Sequence, residues 1–161
     1  MSDPEFSFRT VWLIDAPRER VFAALWASQD WPQWWPGLEQ AVESDPGGSD
    51  GVGRRGRYSF RSVFGYSVAF DAVSTLVEPP CLLEAAVSAG FDGRGRWELT
   101  EQDSVTRVSF DWQVTPARGW MRTVGRPLRP VLVLAHDRVM DAGARGLSRH
   151  LGARLLSAIN S

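Results

Sequence analysis

The chain has 161 residues and a mass of 17.9 kDa, 43% of them apolar and 23% charged, which suits one globular domain spanning 1–161. Eighteen Arg and no Lys oppose nineteen acidic groups for a formal net charge of -1, a balance that argues against nucleic acid as a partner. Cys81 is the sole cysteine and no apolar run approaches the length of a membrane span, so disulfides, thiolate metal clusters and stable membrane insertion are all excluded, and a cytoplasmic location is expected.

Phe6, Phe8, Thr10, Trp12 and Ile14 share one side of a first strand, with Val11 and Leu13 on the other. Asp15 and Pro17 then open a helix, Asp15 as its acidic cap, with Val21, Phe22, Leu25 and Trp26 as its apolar stripe. Asp30 to Pro36 holds Trp31, Trp34 and Trp35 between two prolines, which limits it to a second short helix. A short strand follows over Glu39–Glu43, and the glycine-rich stretch from Asp45 to Gly53 is a loop.

Beyond the loop the alternation is strong. Arg55, Arg57, Ser59 and Arg61 oppose Gly56, Tyr58 and Phe60, and the next strand puts Tyr66, Val68, Phe70 and Ala72 on one face. Strands over Leu82–Ser88, around Arg94–Leu99 and around Arg107–Val114 complete one sheet. Its outer face carries Arg94, Arg96 and Arg107, and its inner face carries Trp97, Phe110 and Trp112. Asp71, Glu84 and Asp111 are assigned to the outer face. A linker from Pro116 to Pro130 contains Trp120 and Met121, and long connections of this kind often serve as lids. The last element is a helix from Pro130 to about Ala158, whose stripe runs through Leu132, His136, Val139, Met140, Gly143, Leu147 and Leu151. Gly143, Gly146 and Gly152 each weaken it by about 1 kcal/mol relative to Ala, so packing must hold it, or it bends there.

The predicted fold is α+β: a seven-stranded curved antiparallel sheet around one long C-terminal helix, with two short helices between strands 1 and 2. A twisted sheet curving round a single helix leaves space where inward side chains do not meet. The chain resembles the START-like helix-grip superfamily, also called SRPBCC, and in particular its bacterial polyketide cyclase/dehydrase-like members. The resemblance rests on Trp12 to Pro17 with Arg20-Val21-Phe22, on Asp30 to Pro36, and on the Gly53–Phe60 strand. It extends to Val77-Glu78-Pro79-Pro80, Gly95 to Leu99 and the terminal helix, and so covers nearly the whole chain. It implies a cavity for lipids, sterols, polyketides or other apolar molecules. Aromatase/cyclase members pair a pocket Arg with hydroxyl, carboxylate or His groups, whereas alternation here sends Arg55, Arg57, Arg61, Arg94, Arg96 and Arg107 outward.

Tyr58, Phe70, Trp97, Phe110 and Trp112 are the expected ligand-facing wall, with simple core packing as the alternative for each. Trp34 and Trp35 either line the cavity entrance or staple the short helices to the sheet, and Trp120 and Met121 are lid candidates. His136 faces the sheet as hydrogen-bond partner or proton shuttle, or as a satisfied core histidine. His136 and Tyr58 are the only catalytic candidates. His136-Asp137 with Asp141 lacks metal-ligand spacing, so neither metal nor cofactor is expected. Three functions remain open: binding of an apolar small molecule, polyketide cyclase, aromatase or dehydratase chemistry, or a protein-interaction module with a filled core. A monomer and a homodimer are equally compatible with the sequence.

Overall fold

The computed structural model describes residues 4, 6–62, 65–117, 127 and 129–161. The elements in chain order are β1 (Phe6–Ile14), α1 (Arg18–Trp26), a 3₁₀ turn (Ser28–Asp30), α2 (Trp31–Trp34), β2 (Leu38–Asp45) and β3 (Arg55–Arg61). They continue with β4 (Ser67–Glu78), β5 (Leu82–Ser88), β6 (Phe91–Gln102), β7 (Val105–Pro116), α3 (Arg129–Leu151) and β8 (Leu155–Asn160). All seven strand pairings are antiparallel, in the order β2-β3-β4-β5-β6-β7-β1-β8. The curved sheet wraps α3, and the short helices sit between β1 and β2: this is the helix-grip architecture.

Two sequence expectations are corrected. The sheet has eight strands, not seven, because the terminal helix stops at Leu151 rather than near Ala158. Gly152 takes φ +63°, its N–H donates to the Arg149 carbonyl, and the Ala153 N–H donates to the Ser148 carbonyl. That pair of bonds is a Schellman stop, and glycine enters the left-handed region without the strain a side chain would bring. Leu155 to Asn160 then pair with β1, Thr10 opposite Asn160 and Trp12 opposite Ala158. The second correction concerns α1. Asp15 does not cap it; Pro17 is the N-cap without a side-chain bond, and Glu101 of β6 accepts the Arg18 N–H at 2.7 Å.

The outer face is polar as expected. Arg57 meets Asp71 and Arg96 meets Glu84, each at 2.7 Å, and Arg9 meets Asp111 at 3.1 Å. The Arg57 and Arg9 pairs are partly solvent-exposed and set surface character more than stability, whereas Arg96 and Glu84 are half-buried.

The dry core lies under the C-terminal half of α3. Met140, Ala144 and Leu147 pack there with Trp12, Ile14, Leu25, Trp35 and Leu99. Two glycines let α2 approach α3 closely. A Cβ on Gly143 would come within 2.5 Å of the Trp35 ring, and one on Gly146 would fall 1.8 Å from the Trp34 carbonyl oxygen. The helix therefore gives up helical propensity at these positions to seat the tryptophan turn. Gly146→Ala tests this directly: the propensity gain of about 1 kcal/mol is opposed by an overpacking cost of about 1–3 kcal/mol against rigid backbone. Net destabilisation of up to about 2 kcal/mol is expected in chemical denaturation. A variant more stable than the parent would show that α2 does not bear on Gly146.

Candidate functional site

Along the N-terminal half of α3, Leu132, Ala135, His136 and Val139 line a cavity of about 290 Å³ between helix and sheet. The site is apolar because the inward positions of β3 to β7 are. Alternation aims Tyr58, Phe70, Trp97, Phe110 and Trp112 into it, and all five line it. Their contacts close into a circuit through Trp31. Trp31 meets Tyr58 at 5.6 Å, Tyr58 meets Phe70 at 5.7 Å, and Phe70 meets Trp112 at 5.2 Å. Trp112 meets Phe110 at 5.9 Å, Phe110 stacks on Trp97 at 4.1 Å, and Trp97 returns to Trp31 at 6.3 Å.

The three tryptophans of the short-helix region divide between cavity and core. Trp31 and Trp35 line the cavity, with indole N–H groups donating to the carbonyls of Ala24 and Val139. Trp34 does not line it. Its ring is buried, stacked between Trp35 and His150, and its carbonyl is the group that abuts Gly146. Trp120 and Met121, read from the sequence as lid residues, lie outside the described residues.

His136 stacks on Phe8 of β1, centroids 4.2 Å apart and planes 13° from parallel. Both ring nitrogens are buried without a hydrogen-bond partner. Asp137 Oδ1 stands 3.9 Å from Nδ1, too far for a hydrogen bond. Burial lowers the imidazole pKa from 6.5 to about 4, so the ring is neutral at neutral pH. His136 lines the cavity with no protein hydrogen-bond partner on either nitrogen, and a buried polar group left unpaired costs about 1–3 kcal/mol.

Sequence reasoning missed Arg54. Its side chain is 10% exposed and lines the cavity from the strand edge before β3. Its Nε donates to Glu43 Oε2 at 2.7 Å, and Nη1 donates to the Trp26 carbonyl. Nη2 donates to Ser28 Oγ at 3.1 Å and to Gln29 Oε1 at 2.7 Å, and the guanidinium lies 4.4 Å over the Trp26 ring. Ser28 Oγ in turn is 2.7 Å from the Tyr58 hydroxyl. The signal was present in the alternation. Arg54 shares the parity of Gly56, Tyr58 and Phe60, and the pairing of β3 with β4 runs past its formal end through Ser74 N–H to Arg54 O. Phe6 and Phe8, which also line the cavity, were legible as the inward face of β1.

The cavity is thus an aromatic chamber with a hydroxyl backed by a buried guanidinium on β3. On the opposite arm of the sheet, beside β1, it holds a neutral imidazole. Among the described residues no three His, Cys, Asp or Glu side chains gather as metal ligands, and no helix is long and apolar enough to cross a membrane.

Residues 5–152 match the family described as polyketide cyclase / dehydrase and lipid transport. The chain belongs to that family. No curated protein matches the sequence. Among solved structures, TTHA0849 from Thermus thermophilus is similar with a TM-score of 0.77 at 17% identity, over 91% of this chain and 97% of that one. The Zhui aromatase/cyclase from Streptomyces sp. R1128 gives 0.71 at 14% identity, over 91% and 93%. The di-domain ARO/CYC BexL from the BE-7585A biosynthetic pathway gives 0.71 at 19% identity, over 92% of this chain and 50% of BexL. At these identities the likeness establishes the fold. Family membership and fold together support a hydrophobic-ligand-binding cavity between sheet and helix.

Proposed function

We propose that this chain, as one domain, takes up an apolar or amphipathic small molecule of lipid-like or polyketide-like character. Tyr58, Phe70, Trp97, Phe110, Trp112 and Trp35 form the apolar contacts in this reading, and His136 supplies a polar one. The observation that carries the reading is the cavity of about 290 Å³ with an imidazole in it whose two nitrogens have no partner. An apolar chamber with few polar groups is the usual form of a small-molecule site, and a ligand hydroxyl or carbonyl would relieve the cost of the unpaired ring. The open space tells against an interaction module with a filled core. The near-balanced charge supports a protein without nucleic-acid partners, and the reading takes it as cytoplasmic, monomeric or homodimeric.

Cyclase, aromatase or dehydratase chemistry by His136 or Tyr58 is the second reading, favoured by the family description. It is the weaker one. An imidazole with a pKa near 4 is a poor proton acceptor at neutral pH, and no carboxylate hydrogen-bonds to it.

Uptake of the neutral fluorophore N-phenyl-1-naphthylamine tests the binding reading. Saturable enhancement is expected for the parent, and at least a roughly tenfold loss of affinity for Ala135→Phe, which fills the chamber from the helix side. Enhancement unchanged by the filling substitution would place the probe elsewhere and overturn the reading.

A further inference from the structure

We propose that Arg54, acting through Ser28, fixes the Tyr58 hydroxyl as a hydrogen-bond donor into the cavity, so that the site selects apolar molecules carrying a carbonyl or other acceptor oxygen at the β3 end. The inference rests on the binding reading above and adds a direction and a ligand chemistry to it.

Arg54 donates through Nε, Nη1 and twice through Nη2, to Glu43, Trp26, Ser28 and Gln29. Four of the five guanidinium N–H groups are thereby committed to the protein. Arg54 is therefore a positioning residue and not the ligand's own anchor. Ser28 Oγ has two neighbours, the Arg54 guanidinium at 3.1 Å and the Tyr58 hydroxyl at 2.7 Å. The first can only donate. The Ser28 hydrogen then has one protein acceptor within reach, Tyr58 Oη, and Ser28 is itself buried. If Tyr58 donated to Ser28 instead, the Ser28 hydrogen would be buried and unpaired, at about 1–3 kcal/mol. The charged donor further polarises the Ser28 hydroxyl and strengthens its own donation, as chains of hydrogen bonds do in a low dielectric. The consistent direction is Arg54 to Ser28 to Tyr58, and it leaves the phenolic hydrogen unspent.

That hydrogen belongs to a side chain that lines the cavity. The ring lies between Trp31 and Phe70, and the hydroxyl rests over Gly56, where a Cβ would come within 2.9 Å of Oη. Gly56 is thus the position that allows Tyr58 to fold back along β3 to Ser28.

Two probes of one shape separate the donor from the chamber: 2-acetylnaphthalene, which has a carbonyl, and 2-ethylnaphthalene, which has none. The parent is expected to bind the ketone roughly fivefold to tenfold more tightly, the worth of one hydrogen bond, and to shift its carbonyl stretch to lower frequency. Tyr58→Phe is expected to abolish both, so that the two probes bind with equal affinity and the ketone shows no shift. Ser28→Ala carries the test of direction. The preference and the shift should shrink although Tyr58 is intact, because the hydroxyl has lost its polarising donor. An enlarged preference in Ser28→Ala would mean that Tyr58 had been donating to Ser28, and would overturn the inference. Equal binding of the two probes by the parent would overturn the donor and leave the chamber standing. Failure of both probes to bind would overturn the binding reading, and this inference with it.

Discussion

Arg54→Met is expected to cost about 3 kcal/mol of folding stability, near the lower end of the range for breaking a buried charge network. Met matches the length of the stem but removes every donor. Ser28 and Gln29 lose their shared partner, the Trp26 carbonyl loses an acceptor bond, and Trp26 loses the cation stacked at 4.4 Å. Glu43 is 36% exposed and remains hydrated, which keeps the cost below that of a fully buried ion pair. Arg54→Lys is expected to recover only part of the loss, since one ammonium cannot reproduce a planar fork with four acceptors. Urea unfolding of the three proteins at neutral pH measures the series. A Met variant within about 0.5 kcal/mol of the parent, the usual range for a surface substitution, would show that the side chain is not held as described.

The second large effect is the pH dependence carried by His136. Its pKa is about 4 folded and near 6.5 unfolded. Between those values the unfolded chain binds a proton that the folded chain refuses, so stability is complete above about pH 6.5 and falls as pH drops towards 4. The full span is about 3 kcal/mol, of which about 2.5 kcal/mol has been lost by pH 4.5. His136→Leu removes the group and its two unpaired nitrogens. The variant is expected to match or exceed the parent at pH 7 and to exceed it by about 2.5 kcal/mol more at pH 4.5. Asp137, whose pKa is raised by partial burial and by Asp141, acts in the opposite sense in acid. It is present in both proteins, so the comparison isolates the imidazole. A stability difference between the two that does not change with pH would refute the burial of the ring.

Family resemblance, sheet faces and helix stripe were all legible because each rests on local regularity. Successive strand residues point to opposite faces, so Tyr58, Phe70, Trp97, Phe110 and Trp112 were placed on the cavity side without reference to any other element. The stripe from Leu132 to Leu147 was found by its spacing in the same way. The last strand was not legible. Leu155, Leu156 and Ile159 form a short apolar run that periodicity does not separate from a continuing helix, and the stop depends on the backbone of Gly152. Arg54 was passed over because it falls between the loop ending at Gly53 and the alternation counted from Arg55, although its parity put it inside.

By itself the sequence settled which side chains face inward, since that follows from steric periods of two and 3.6 residues along the chain. Tertiary structure decided how far the helix stands from the sheet, which groups fill the gap, and which polar atoms inside it have partners. Those outcomes depend on elements that are remote in sequence. Gly143 and Gly146 of the terminal helix make room for a tryptophan turn far away in the chain. Arg54 is satisfied by residues of α1, the 3₁₀ turn and β2. His136 is neutral because desolvation sums over every group that surrounds it, and neighbours along the helix do not determine that sum.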